Sequence, residues 1–445
     1  MASAPAAGAD APGFSSYQKL VIALIAFLQF TLILDFMVLS PLGAIIIPAL
    51  RITPAQFGLL VSVYAFSAGA SGVLAAGFTD RFDRKRLLLF FYSGFVLGTL
   101  LCALARSYEA LLFARMITGV FGGVIGSIVF AITTDLFEYQ VRGRVMGVVQ
   151  TAFAASNVLG IPLALFLSNR WGWNAPFMLI VGASTLVGVV IVFKLKPINA
   201  HLARAPDRSA LHHLLHTVTM PRYLQGFATT GLLSVGGFML MPFMSAFTVH
   251  NLGVSVHQLP MLYMVTGICS IIAGPLIGRA ADAYGKFRVF AFGCATTILM
   301  VTTYTHLGVS PLALIIVISV MLFVGVSSRM ITASALMSAV PYPADRGSYM
   351  AISSSLQQFA GGVAAAVAGL IVVQSNDGHL LHFDVVGYLL TATTLMCLGM
   401  MYLIQRRIEA EQRGSSEQRG ADGSVRVSAA AGAGTLENPP PLAVD

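Results

Sequence analysis

Apolar runs of about twenty residues or more, separated by short polar breaks, set the organisation of this chain. A helix needs about 20 apolar residues to cross a hydrocarbon core of ~30 Å. Runs at 20–47, 54–76, 87–105, 110–133, 145–168 and 175–195 meet that length. After a polar stretch, further runs follow at 223–249, 258–278, 288–306, 311–336, 348–373 and 384–404. The pattern predicts an all-α integral membrane protein whose twelve transmembrane helices form two six-helix bundles, 17–195 and 223–405, joined by a loop over 196–222. The flanks, 1–16 and 406–445, are rich in small and polar residues and are expected to be disordered. No cleavable signal peptide is expected, because the first apolar run is too long for one.

Composition agrees with a membrane solvent. Of 445 residues 57% are hydrophobic and 10% charged, against about 25% charged in a soluble domain. The 43 glycines suit helices that approach closely in lipid, where no hydrophobic force drives them together. The net charge of +8 does not mark a nucleic-acid face, since the Lys and Arg residues fall in short loops. Arg81, Arg84, Lys85 and Arg86 follow the second run, Arg142 and Arg144 the fourth, and Arg279, Lys286 and Arg288 the eighth. Lys194, Lys196, Arg204, Arg208 and Arg222 lie around the middle loop, Arg346 follows the tenth run, and Arg406 and Arg407 follow the last. The alternate loops hold little beyond Arg51, Arg106 and Arg170. The positive-inside rule then places both termini in the cytoplasm of a cell-membrane protein. Cys102, Cys269, Cys294 and Cys397 sit in apolar runs at no ligand spacing and are expected to be buried free thiols. His212 and His216 have the i, i+4 spacing of a metal pair, but no third ligand accompanies them, so no metal is expected.

One residue breaks the apolar pattern at a cost. In Phe30 to Pro41, FTLILDFMVLSP, Asp35 lies inside a spanning run. A carboxylate at the centre of a membrane helix costs roughly 2.5–3.5 kcal/mol. Intramembrane ionisable residues are therefore functional candidates by default, with a structural role held by a neighbouring helix as the alternative. Arg115 in the fourth run and Arg329 in the tenth are the other deep charges. Counted from Lys19 at about 1.5 Å per residue, Asp35 lies about 24 Å along its helix, past the midplane. Arg115 lies about 9 Å inward from Glu109, so the two charges share a depth.

The two halves repeat. Ala76-Gly-Phe-Thr-Asp80-Arg81-Phe-Asp-Arg84-Lys-Arg86 follows the second run, and Gly278-Arg-Ala-Ala-Asp282-Ala-Tyr-Gly285-Lys-Phe-Arg288 follows the eighth. Their acids are 202 positions apart, and Arg142-Gly143 and Arg346-Gly347 are 204 apart. Parallel repeats of this kind build one class of secondary transporter. Here the chain resembles the major facilitator superfamily over nearly all of 17–405. The second loop copy matches the family's G-x-x-x-D-R-x-G-R/K-R/K signature through Gly278, Asp282 and Gly285. The first keeps Asp80, Arg81 and Arg84 but has Ala76 and Asp83 where glycines are usual. The stretch from Leu111 to Gly123 is similar to the family's Arg-containing fourth-span motif, with Thr118 where Gln is common. Ser156 to Pro162 resembles the fifth-span Gly–Pro element of proton-coupled antiporters in the variant of bacterial drug and sugar exporters, with Gly160 and Pro162 as the bend.

The resemblance implies a transporter of small molecules, working as a monomer in the lipid bilayer, with no cofactor beyond a proton gradient. It also implies that the first and fourth helices line the central cavity. Asp35 is then expected to bind the proton and Arg115 to tune it, because burial disfavours a charged carboxylate and a nearby cation favours it. Asp80, Arg81, Arg84, Gly278, Asp282 and Gly285 are expected to gate the loop side. Gln29, Tyr64, Asn157, Gln357 and Gln358 are polar cavity candidates, each with an interhelical hydrogen bond as the alternative. Arg329 reads either as a snorkelling or helix-locking charge or as a substrate contact. No nucleophile triad, metal set or phosphate loop is present, so an enzyme or an ATP-driven pump is not expected. A proton-coupled exporter is the leading expectation, an importing symporter or facilitator its rival, and a non-transporting membrane sensor the third. One acidic and two basic deep charges leave lipophilic cations, neutral sugars and amphiphilic metabolites all open as cargo.

Overall fold

The structure, a computed structural model, describes residues 14–75, 82–199, 202, 216–342 and 345–433, with backbone only at 139, 140, 346, 347 and 411–433. Twelve helices within it are long and apolar enough to cross a membrane, in two sets of six. The repeat is visible in where they start, with the third span at Arg84 and the ninth at Lys286, 202 residues apart. The fourth and tenth, from Tyr108 and Leu312, are 204 apart.

Three elements differ from the expectation. The apolar run at 20–47 is two helices, Ser16–Val38 and Gly43–Leu50, separated by a turn at Pro41. Proline has no N–H for the helical ladder, and in the turn that results the Ser40 carbonyl accepts both the Gly43 N–H at 3.1 Å and the Ser245 hydroxyl of the seventh span at 2.9 Å. In the fifth span, Tyr139–Ala155 and Ile161–Trp171 are joined by a π-turn at Ser156–Gly160, where Ile161 N–H reaches back to the Ser156 carbonyl. The extra residue in that turn accommodates Pro162, whose ring would otherwise strike the preceding turn. The twelfth helix runs Phe383–Ala433, so 406–433 is helical and not the disordered tail expected. Its Ala, Glu, Gln and Arg are good helix formers, and extending a formed helix avoids the cost of nucleation.

Small residues set the helix spacing. A Cβ on Gly119 would lie 2.5 Å from the Tyr64 carbonyl, and one on Gly123 2.3 Å from that of Ala68, so the second and fourth spans touch backbone to backbone. Between the bundles, the second and eleventh spans pack along their length, and Ser62 donates to the Gly362 carbonyl at 2.8 Å. The fifth and eighth spans meet at their middle and at the end bearing Trp171, where Asn169 donates to the Val256 carbonyl at 3.1 Å. Toward the basic-loop end they diverge, and among the described residues no neighbour stands within 4 Å of a Cβ at Gly147 or Gly274. The molecule is thus closed at the end remote from the basic loops.

Asp83, the departure from glycine in the first loop copy, has a definite task. Its carboxylate caps the third span by accepting Arg86 N–H at 2.9 Å and also holds Ile198 N–H of the interbundle linker at 2.9 Å. Asp83→Ala is expected to cost about 1 kcal/mol, the usual loss for a helix cap. Thermal unfolding with limited proteolysis of the linker will show it, and Asp83→Asn should fall between the two because it retains one acceptor oxygen.

Candidate functional site

The apolar first span delivers Asp35 into the middle of the first bundle, where the third and fourth spans meet it. Arg115 Nη1 lies 2.9 Å from Asp35 Oδ2 and 3.2 Å from the Asp35 backbone carbonyl. Thr99 of the third span donates its hydroxyl to Asp35 Oδ1 at 3.2 Å while also bonding the Phe95 carbonyl. Both charges are sealed from solvent, Asp35 at 0% exposure and Arg115 at 1%. The guanidinium also lies over the Tyr64 ring, 4.3 Å from its centroid. A desolvated cation–π contact contributes about 2 kcal/mol. Sequence-predicted Asp35 and Arg115 are therefore brought together, and Thr99 and the Tyr64 ring complete their shell.

A cavity of about 480 Å³ lies beside this pair, between the bundles. Its wall takes Phe36 from the first span and Asn157 from the π-turn, with Arg329, Gln357 and Gln358 from the second bundle. Neither Asp35 nor Arg115 lines it: the first span contributes Phe36 and Met37, but the fourth, expected to line the cavity, contributes no residue to its wall and packs instead against the second and third spans. A stack of rings separates them. Phe36 is 5.2 Å from Tyr64 on one side and 5.7 Å from Phe238 of the seventh span on the other. The chain of contact runs from the cavity through Phe36 and Tyr64 to Arg115 and Asp35.

The weaker candidates divide. Asn157, Gln357, Gln358 and Arg329 face the cavity. Tyr64 does not line it, being 4% exposed and turned onto Arg115. Gln29 also lies off the cavity, with its Oε1 buried and without a donor among the described residues. Arg329 does not snorkel. It is 3% exposed and runs into the second bundle.

At the basic-loop end, Asp80 and Arg81 lie outside the described residues. Arg84 pairs with Asp135 at the end of the fourth span, 3.1 Å away. In the second copy Gly285, at φ 96°, breaks the chain between the eighth and ninth spans. Asp282 there is exposed and Gly278 half-buried, with no neighbour within 4 Å of a Cβ at Gly278 among the described residues. The sequence did not single out Asp135 or Asp345, which takes the Tyr223 hydroxyl at 2.7 Å. Each sits at a helix end near a loop arginine, which is the signal that would have found it. Of the histidines, His201, His212 and His213 lie outside the described residues, and no group of three metal-ligand side chains occurs among those described. The four cysteines are free, three of them buried.

Comparison with known proteins agrees with this architecture. The Major Facilitator Superfamily model matches twice, over residues 25–231 and 226–442, once per bundle. An uncharacterized MFS-type transporter of Bacillus subtilis, YtbD, is 25% identical over 366 residues, covering 80% of this chain and 88% of that protein. A chloramphenicol efflux pump of Mycobacterium tuberculosis is 25% identical over 253 residues, 56% of this chain and 60% of the pump. For several relatives the match spans less than two thirds of their own length. The crystal structure of a bacterial homolog of the human lysosomal transporter Spinster, inward-facing and unoccupied, superposes with a TM-score of 0.69. It shares 15% identity and covers 89% of this chain and 99% of that one, a likeness of fold alone. With its duplicated six-helix bundles, twelve membrane spans and matching family model, the chain belongs to the major facilitator superfamily and is a multi-pass membrane transporter.

Proposed function

We propose that the protein is a proton-coupled exporter of a small molecule, working by alternating access as a monomer in the cell membrane with both termini cytoplasmic. The observation that carries this reading is the sealed Asp35–Arg115 pair, with its 2.9 Å bond and no exposure. A passive channel has no use for an ion pair whose desolvation costs several kcal/mol per charge. Protonating Asp35 removes the anion and leaves Arg115 with the Asp35 backbone carbonyl and the Tyr64 ring. A proton moving down the membrane potential supplies about 2.3 kcal/mol per 100 mV toward such a change. Through Tyr64 and Phe36, the state of the pair bears on the cavity wall. Closure at the far end corresponds, in this topology, to a cavity facing the cytoplasm and ready to load cargo for export. The efflux function named for the Mycobacterium tuberculosis relative supports the same direction.

The test is transport by proteoliposomes of known orientation under an imposed pH gradient, screened with lipophilic drugs and sugars. The wild type should move cargo against the proton flow. Asp35→Asn should lose at least tenfold of the gradient-driven rate while expressing normally. Full gradient-driven transport by Asp35→Asn would sink the proton assignment, and cargo moving with the protons would make the protein a symporter.

A further inference from the structure

The two buried guanidiniums are treated differently. Arg115 has its acid at 2.9 Å, whereas no carboxylate pairs with Arg329 among the described residues. Arg329 Nε and Nη2, the donors on one edge of the guanidinium, are buried with no acceptor. The thiols of Cys294 and Cys397 border the group, and a thiol is a weak acceptor. A helix-locking arginine would spend those donors on backbone carbonyls or an acid, and this one does not. Burying a charge without its counterpart is costly, so the site is incomplete as it stands.

Its surroundings say what completes it. Arg329 is the one charged side chain on the cavity wall among the described residues. The rest of the wall is largely apolar and includes five aromatic side chains, Phe36, Phe153, Phe238, Tyr263 and Phe323. Gly236 of the seventh span lies against the guanidinium, where a Cβ would stand 3.4 Å from Nη2, and the adjacent Gly237 lines the cavity with no neighbour within 4 Å of its own Cβ position. Presenting the free edge to the cavity then requires a turn of the terminal torsions past Gly236, which carries no Cβ.

We propose that Arg329 is the anion-binding residue of the transport cavity and that the cargo is an amphiphilic organic anion, an apolar ring body carrying one carboxylate-type group. The carboxylate takes the Nε–Nη2 edge through two parallel bonds, the strongest geometry open to a guanidinium. The ring body lies among the aromatic side chains. Lipophilic cations are repelled. This assignment rests on the cavity being the substrate path of the proposed transporter, but on neither proton coupling nor direction.

The experiment measures equilibrium binding to the full-length protein in nanodiscs at symmetric pH, with three probes sharing one ring system: 1-naphthylacetate, 1-naphthylacetamide and 1-naphthylmethylammonium. The acetate is expected to bind at least tenfold more tightly than the amide, and the ammonium not at all. In Arg329→Gln the acetate should fall to the level of the amide, whose affinity stays unchanged, while Arg329→Lys keeps part of the preference. No proton gradient enters this measurement, so a failure of the proton assignment leaves the result standing, and Gly126→Ala, off the cavity wall, should bind the acetate like the wild type. Equal binding of acetate and amide to the wild type, or no binding of the acetate, overturns the proposal without recourse to any variant. So does a preference that survives in Arg329→Gln.

Discussion

Replacing Arg115 by Ala is expected to cost about 3–5 kcal/mol of stability, the penalty for leaving a buried charge without its partner. The loss exceeds what the pair itself contributes, because Asp35 at 0% exposure would keep only the Thr99 hydroxyl at 3.2 Å. It also removes the cation from the face of Tyr64, 4.3 Å away. The double variant Asp35→Asn, Arg115→Met should recover most of the stability, since neither side is then an uncompensated ion, yet remain inactive in gradient-driven transport. Thermal unfolding of the purified proteins in one detergent, with size-exclusion profiles, measures the first part, and the proteoliposome assay measures the second. An Arg115→Ala protein as stable as the wild type would mean that the pair is not coupled in the folded state. A double variant no better than the single would put the damage in lost packing around Arg115. The two assays separate structural from functional loss, which a transport measurement alone confuses.

How much of this was legible beforehand follows from what each feature depends on. Spans are legible because lipid demands a fixed length of apolar helix, and the boundaries of the fourth and tenth agree within about three residues. Asp35 and Arg115 stand out because a charge in lipid is expensive, and shared depth follows from helical rise. Which way a polar residue faces is another matter. Tyr64 and Gln29 were cavity candidates by composition, but the rotation of their helices turns them into the first bundle. Thr99 carried no signal, since a membrane threonine ordinarily bonds the carbonyl one turn back, as it also does here. Pro41 and Pro162 were visible, yet whether a proline breaks a helix or is absorbed by a π-turn depends on packing. Asp83 read as a loss of the loop glycine. Its task appears only once the linker returns to place Ile198 beside it.

Gly58→Val is expected to lower transport more than tenfold by holding the far end open. A Cβ at Gly58 would lie 2.7 Å from the Ala365 carbonyl and 3.0 Å from Gly369 Cα, both backbone atoms of the opposite bundle. Side chains could rotate away, but backbone in the eleventh span cannot, so the second and eleventh spans must part where they cross. That crossing lies on the closed side, with the Ser245–Ser40 and Asn169–Val256 contacts. Parting it destabilises the state seen here and leaves the opposite, far-end-open state favoured. A bias of about 1.4 kcal/mol shifts the ratio of the two states tenfold, and a steric conflict of this kind supplies more. The two states can be told apart by electron-spin distances between labels at the far ends of the second and eleventh spans, which should lengthen in Gly58→Val. Gly126→Ala serves as the control, since nothing stands within 4 Å of a Cβ there. If Gly58→Val transports normally with unchanged distances, the second and eleventh spans do not need to close at Gly58 for the cycle to run. If it fails to transport while the distances stay put, the damage lies within the second span and not at the interface between bundles.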